Sequence, residues 1–298
     1  MEKKASTPCF FDASILPCGI LSPCPALQSE KIMNTRCVTL AGIVVVLLLV
    51  PPALARQAEE NPPMEGFNLE ASDAKAIELA DAVMQSMGGR QNWDQARYLS
   101  WGFGNDDQLW DKWTGQFRFQ HDSLVVLMNL LSMEGQAWED GQEVTDSTGL
   151  EEHLTRAYRA WVNSSYWLLM PYKLKDSGVT LLYQGEGTME DGRAAEVLQL
   201  TFENVGLTPQ NKYHVYIDKE TMMVGQWSYF RDASDTEPQF TRPWRNWQHY
   251  GNVMLSNDRG EGRGGNPFIL PNVGIYDTVP ASAFEDPARL DLATLADQ

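Results

Sequence analysis

The chain has 298 residues, of which 40 are acidic and 23 are lysine or arginine, so its formal net charge at pH 7 is −17. Such a surface repels nucleic acids and anionic lipid headgroups, which excludes proteins that bind these polyanions through a basic face. All four cysteines lie within the first 37 residues. The rest of the chain therefore has neither a disulfide framework nor a cysteine metal site.

Residues 33–55 have the order of features that defines a secretory signal peptide. A short basic start precedes an apolar run, two prolines break the run, and Ala53 and Ala55 form an A-x-A cleavage site. The apolar run is shorter than the roughly twenty residues that a membrane-spanning helix requires. We expect cleavage before Arg56 and a periplasmic or secreted protein, and we interpret residues 1–32 as a misannotated upstream extension.

The remainder of the chain is long enough for one domain with a sizeable core. Residues 56–70 are polar, contain proline and lack periodicity, which is typical of a flexible leader. Periodic patterns then predict a single domain over residues 71–290, followed by a C-terminal tail over 291–298. Because no cysteine follows the cleavage site, the chain lacks the residue that bacterial lipoproteins acylate.

The domain is predicted to open with an amphipathic helix. Ser72 is a typical helix N-cap, and Gly88 and Gly89 are typical of a helix C-terminus. Helical spacing puts the apolar residues between them on one face. These residues are Ala76, Ile77, Ala80, Val83, Met84 and Met87.

From Leu99 onwards the apolar period changes to two, which indicates β-strands joined by turns. We count about eleven strands in an antiparallel meander, so the predicted fold class is mainly β (α+β). One helical segment interrupts the meander, with capping-box spacing at Thr148 and Glu151. The run at 166–172 is too apolar to lie comfortably in solvent. We expect residues 150–172 to form a lid over the apolar face of the sheet.

An N-terminal helix, a meander of aromatic-rich strands and one helical insertion together resemble the superfamily of periplasmic lipoprotein carriers that includes LolA, LolB and LppX. Four segments carry the resemblance: 76–90, 110–115, 163–174 and 213–221. The order of elements matches over roughly residues 72–290. The resemblance implies a half-open antiparallel β-barrel with an inserted lid helix, and an apolar cavity for acyl chains between the concave sheet face and the lid.

The resemblance also implies a basic residue that latches the lid, for which Arg97 and Arg118 are both candidates. A helix and a short aromatic segment cover less area than eleven strands expose, so the sheet either curls on itself or leaves an apolar groove. The inward-facing residues then line a cavity or, alternatively, form ordinary core. The residues predicted to line the cavity or lid are Trp101, Phe103, Phe119, Val126, Met128, Leu154, Tyr158, Trp161, Trp167, Leu181, Tyr183, Leu198, Leu200, Val215, Ile217, Trp227 and Tyr229.

Signals for catalysis are weak. The chain has no G-x-S-x-G elbow, and its histidines lack metal-ligand spacing. The glycines at 260–265 have the letters of a dinucleotide fingerprint but precede a proline instead of a helix. His214 and His249 with a neighbouring carboxylate are one alternative for a metal site, and the acidic patches at 105–107 and 139–140 are an alternative for calcium, although they are more simply hairpin turns. We predict no catalytic residues, no metal and no cofactor.

These features favour a periplasmic binding or carrier protein for a lipophilic ligand or a lipoprotein acyl chain, with an outer-membrane protein as the expected acceptor. Two alternatives stay open, a hydrolytic or metal-dependent enzyme on the same scaffold and a protein-interaction module. We expect no nucleic-acid partner and no membrane-spanning segment after cleavage.

Overall fold

The computed structural model describes residues 60–205 and 208–297, so the predicted signal peptide and upstream extension lie outside the described residues. Fifteen strands form three antiparallel sheets in this part of the chain, together with four α-helices. The mainly β class is confirmed, and no closed barrel forms among the described strands. The number of strands exceeds the predicted eleven. Several of the strands are only two to four residues long, which is too short for an alternating pattern to reveal them.

Sheet 1 has seven strands. They are β1 (Tyr98–Phe103), β2 (Asp106–Asp111), β3 (Gln116–His121), β4 (Leu124–Asn129), β5 (Gly135–Glu139), β6 (Gln142–Glu143) and β15 (Gly274–Tyr276). Their spatial order is β15-β1-β2-β3-β4-β5-β6. The predicted meander is therefore present from β1 to β6, and a strand from near the C-terminus extends it.

Sheets 2 and 3 contain the remaining strands. Sheet 2 has the order β11-β10-β9-β8-β7, and sheet 3 has the order β12-β13-β14. Sheet 2 consists of β7 (Val179–Thr188), β8 (Ala194–Phe202), β9 (Lys212–Asp218), β10 (Val224–Phe230) and β11 (Phe240–Pro243). Sheet 3 consists of β12 (Arg245–Tyr250), β13 (Val253–Glu261) and β14 (Pro267–Ile269).

The α-helices are α1 (Ala74–Ser86), α2 (Arg90–Gln95), α3 (Ser147–Leu169) and α4 (Ser282–Glu285). The start of α1 differs from the prediction, because Ser72 does not cap it. The Ser72 hydroxyl instead accepts the Leu181 N–H at 3.0 Å, and the Asp73 carboxylate accepts the Tyr183 N–H at 2.8 Å. These bonds attach the beginning of α1 to β7.

Helix α3 is longer than the predicted segment. Its N-cap is Asp146, whose carboxylate accepts the Gly149 N–H at 2.7 Å, so the capping box predicted at Thr148 is wrong by two residues. The apolar run at 166–172 forms the last turn of α3 and a 3-10 turn at Met170–Lys173. Most of that run is buried in the core.

Helix α3 crosses both large sheets. The Trp161 ring packs edge-on against Trp110 of sheet 1, with centroids 5.3 Å apart. One turn further on, Tyr166 contacts Tyr213 and Trp227 of sheet 2, at 5.4 and 5.9 Å. The helix therefore joins the two sheets through a single aromatic core.

Residues 60–70, which the composition assigns to a flexible leader, pack on the domain. Phe67 is buried, and the amide of Asn61 donates to the buried Asp81 carboxylate at 2.7 Å. Lys175 forms an ion pair with the same carboxylate. Burial raises the pKa of Asp81 more than these two partners lower it.

The C-terminal segment covers the outer face of sheet 1. Leu292 and Leu295 form a small buried cluster with Leu109 and Ala283. The buried guanidinium of Arg118 donates to the carbonyl oxygens of residues 283, 286 and 288, at 2.6 Å for the first and 3.0 Å for the last. Backbone carbonyls thus hold a buried cation, and the cation in turn fixes the segment on the sheet.

We expect Arg118→Met to lower the free energy of unfolding by roughly 3 kcal/mol, because the loss of several hydrogen bonds from a charged donor, worth about 1.5–3 kcal/mol each, is partly offset by removing the desolvation cost of the buried guanidinium. Limited proteolysis should also cleave the C-terminal segment faster. The control is Arg289→Met in that segment, since Arg289 is an exposed arginine with a 3.6 Å ion pair to Asp107, and its loss should cost less than about 1 kcal/mol. Equal effects of the two substitutions in urea unfolding would contradict the anchoring role.

Candidate functional site

A groove of about 740 Å³ lies between α3 and the face of sheet 1 on which the helix packs. Pockets that hold small molecules usually have volumes of roughly 300–1,000 Å³. The wall from the sheet contains the aromatic rings of Phe103 and Phe119, and the wall from the helix contains Ala160 and Ser164. The other lining residues are Asp106, Thr148, Glu151, Glu152, Thr155, Arg156, Arg159 and Asn163.

Strand register explains which sheet residues face the groove. Phe119 on β3 pairs with Gln108 on β2, and Gln108 pairs with Trp101 on β1, so these side chains form one row. The next row contains Phe103 and Asp106, which are also paired. Because side chains of a strand alternate between its faces, both rows point to α3.

The groove has a charged mouth. The Asp106 carboxylate lies 2.6 Å from Nδ1 of His121, and the Arg156 guanidinium lies 5.8 Å from the centre of the Phe119 ring. Burial raises the pKa of Asp106, and this outweighs the lowering by His121 and Arg156. Aromatic walls beside a charged rim give the groove an amphiphilic lining.

The floor of the groove contains a hydrogen-bond network around Ser164. Its hydroxyl accepts the Trp101 indole N–H at 2.9 Å and the Gln108 amide N–H at 2.6 Å. It donates to the Ala160 carbonyl at 2.7 Å. The helix and the sheet are therefore linked by polar contacts at the same place where they enclose the groove.

Every residue that the sequence predicts for the cavity or lid belongs to one hydrophobic core, either buried in it or packed against it. Only Phe103 and Phe119 among them also line the groove. The central space between the sheets is filled, because Trp161, Tyr166 and Trp167 of α3 extend into it. The open space lies nearer the start of α3, where the helix presents polar side chains to the sheet.

The charged lining residues Asp106, Glu151, Glu152, Arg156 and Arg159 were missed from the sequence. Asp106 looks like part of a hairpin turn, although it begins β2. The polar residues of α3 recur three or four positions apart beside its apolar stripe. That recurrence is the one signal that could have indicated a second occupied face.

Both candidates for the lid-latching arginine are wrong. Arg97 forms an ion pair with Asp111 at 2.8 Å, and Arg118 lies on the opposite face of sheet 1. Arg259 of β13 contacts the helix instead. Its buried guanidinium donates to the Trp167 carbonyl at 2.6 and 3.1 Å and lies 3.6 Å from the centre of the Trp244 ring.

A second, smaller cavity of about 370 Å³ lies elsewhere in the fold, with walls that include Met223, Trp244, Trp247 and His249. His214 is not among its lining residues. In the ranges 60–205 and 208–297, no three histidine, cysteine or carboxylate side chains are grouped closely enough to hold a metal ion. Across the same ranges, no helix is long and apolar enough to cross a bilayer.

No protein family and no curated protein matches this chain in sequence. Several solved structures align with parts of this chain at low identity and low TM-score. A DUF1329 family protein from Desulfovibrio piger aligns over 71% of this chain and 97% of its own, with 11% identity and a TM-score of 0.37. A LolA superfamily protein from Nitrosomonas europaea aligns over 70% of this chain and 96% of its own, with 8% identity and a TM-score of 0.34.

MucB of Pseudomonas aeruginosa, solved in complex with MucA, aligns over 65% of this chain and 74% of its own, with 12% identity and a TM-score of 0.22. One of these matches, the protein from Nitrosomonas europaea, is described as a member of the LolA superfamily. At these identities and TM-scores, the likeness says nothing about ligand or partner. Both have to be inferred from the geometry of this chain.

The raised pKa of Asp106 predicts a pH dependence of stability. The folded state binds this proton more tightly than the unfolded state, so the free energy of unfolding falls as the pH rises above about 4, the ordinary aspartate value. Asp106→Asn removes this contribution. The wild type should therefore lose stability relative to the variant as the pH rises, as measured by denaturant unfolding across a pH series.

Asp218 is the control, because its pKa is shifted in the opposite direction to that of Asp106. Burial opposes its ionisation, but the backbone N–H groups of Thr221 and Glu220 and the Arg193 guanidinium lower its pKa overall. Relative to Asp218→Asn, the wild type should gain stability as the pH rises towards about 4. If stability changed with pH in the same direction for both carboxylates, the opposite pKa shifts assigned to Asp106 and Asp218 would be contradicted.

Proposed function

We propose that the chain is a periplasmic binding protein that holds a lipophilic, amphiphilic ligand, such as a fatty acid or a lipoprotein acyl chain, between sheet 1 and α3. The observation that supports this proposal is the groove of about 740 Å³ with aromatic walls and a charged mouth. The periplasmic location rests on the signal peptide predicted at residues 33–55.

The chemistry of the lining suits an amphiphile. An acyl chain lying against Phe103, Phe119 and Ala160 gains about 0.8 kcal/mol for each methylene removed from water. A polar headgroup remains at the mouth, where Asp106 and Arg156 offer an acceptor and a donor. The acidic lining residues Asp106, Glu151 and Glu152 also disfavour ligands with a large negative charge.

Hydrolysis is less well supported by the same residues. In the described part of the chain, both ring nitrogens of His121 lie next to carboxylates, at 2.6 Å from Asp106 and 3.2 Å from Asp122. A histidine that serves as a general base needs one nitrogen directed at a nucleophile or a water. We therefore propose a binding protein and not an enzyme.

Helix α3 contributes to this function as a fixed wall. Its last turn lies in the aromatic core and is bound by Arg259, so a lid that swings as one body would have to break these contacts. Trp161→Ala and Trp167→Ala, two substitutions in the predicted lid, would remove core contacts. They would therefore test folding more than ligand binding.

Filling the groove is a direct test of the proposal. Ala160→Phe introduces a ring into the space, so the affinity for a fluorescent fatty-acid probe should fall at least tenfold, about 1.4 kcal/mol. The matched control is His153→Phe, which adds the same ring to α3 at a position that does not line the groove. Wild-type protein that binds no probe at micromolar concentration, or equal loss in both variants, would contradict the proposal.

One observation favours a second function, docking to an acceptor protein of the outer membrane. Trp113, Leu131 and Met133 are 55%, 44% and 39% exposed, and they lie on two adjoining hairpin turns of sheet 1. The turns are joined by hydrogen bonds from the Asn129 amide to the Thr114 carbonyl at 2.9 Å and from the Leu130 N–H to the Gly115 carbonyl at 2.8 Å. Clustered exposed apolar side chains are typical of an interaction surface.

A photo-crosslinking amino acid at position 113 should capture an outer-membrane protein in the native organism, and Leu131→Ser should weaken the capture. The control position is Leu69, which is 56% exposed and lies in the segment before α1. The same products from both positions would show that exposure alone causes the capture, which would count against a specific acceptor surface.

A further inference from the structure

Gln108 is a polar residue at the centre of an apolar row. The row runs across β1 to β5 through Trp101, Gln108, Phe119, Val126 and Ala137. All five side chains are fully buried. Placing an amide there costs free energy unless each of its polar atoms finds a partner.

Only the donor end of this amide is paired in the described part of the chain. Its N–H donates to Ser164, whereas its oxygen Oε1 is buried and has no hydrogen-bond partner there. Ser164 cannot serve both ends, because a hydroxyl has one proton and two lone pairs. The proton goes to Ala160, and the lone pairs accept from Trp101 and Gln108.

The Gln108 side chain lies directly behind the lining of the groove. Phe119 is the cross-strand partner of Gln108, Asp106 lies two residues away on the same face, and Ser164 is its hydrogen-bond partner. All three of these neighbours line the groove. Gln108 itself is fully buried and does not line the groove, so a ligand would reach its amide by parting the Phe119 ring from Ser164.

We propose that the ligand of this groove carries a hydrogen-bond donor, a hydroxyl or an amide N–H, that binds to Oε1 of Gln108. This inference rests on the proposed binding function and narrows its ligand class. A plain acyl chain leaves this buried carbonyl unsatisfied, whereas a donor on the chain pairs it. The oxygen thus selects acyl chains that are hydroxylated or amide-linked over unsubstituted ones.

The test compares three probes of equal chain length by calorimetric titration of the purified protein. They are hexadecanoic acid, 3-hydroxyhexadecanoic acid and N-hexadecanoylglycine. We expect at least one of the two donor-bearing probes to bind about tenfold more tightly than hexadecanoic acid, and the tighter one identifies the source of the donor. Equal affinity for all three overturns this inference and leaves the proposed function intact. Absence of binding by all three overturns both.

Substitution of Gln108 tests whether the preference for donor-bearing probes depends on its side-chain amide. Gln108→Met keeps an unbranched side chain of similar length but removes the acceptor oxygen, so it should abolish the preference for the donor-bearing probes over hexadecanoic acid. The control is Gln120→Met, since Gln120 is fully buried on the opposite face of sheet 1 and pairs with Arg118. A preference that persists in Gln108→Met overturns the inference. If that variant does not fold, the wild-type comparison of the three probes decides alone.

Discussion

The fold depends on the burial of the last turn of α3 between the sheets. Tyr166 and Trp167 pack against Trp227 of sheet 2, and Trp167 also contacts Phe103 of sheet 1 and Phe268 of sheet 3. The guanidinium of Arg259 adds two hydrogen bonds to the Trp167 carbonyl. One helical turn thus connects all three sheets, and aromatic burial of this extent is a major source of stability.

The groove is a consequence of this attachment. Because the end of α3 is fixed in the core, its earlier turns extend over sheet 1 and present polar side chains to the aromatic wall at Phe103 and Phe119. Those turns cannot close fully on the sheet without burying charges such as Arg156, which is costly when they are unpaired. The amphiphilic ligand that we propose would resolve this conflict, since its chain would cover the aromatic rings and its headgroup would stay near the charged mouth.

The sequence was informative wherever a local rule decided the structure. Period-two alternation identified the strands of the meander, and the paired glycines identified the end of α1, where a Cβ on Gly88 would lie 2.1 Å from the Asn252 carbonyl oxygen. Local signals failed where a distant partner competed. Ser72 resembles a helix cap, but its hydroxyl binds β7. Similarly, Arg118 resembles a latch, but it holds the C-terminal segment on the outer face of sheet 1.

By itself, the sequence determined the mainly β class, the inserted helix and the set of residues that form the core, because burial follows from periodicity and apolarity alone. Only the tertiary structure decided which of those residues face open space. That outcome depends on the angle and depth at which α3 enters between the sheets, and contacts such as Arg259 with Trp167 set both. These residues are 92 positions apart in the chain, and no local pattern encodes their contact.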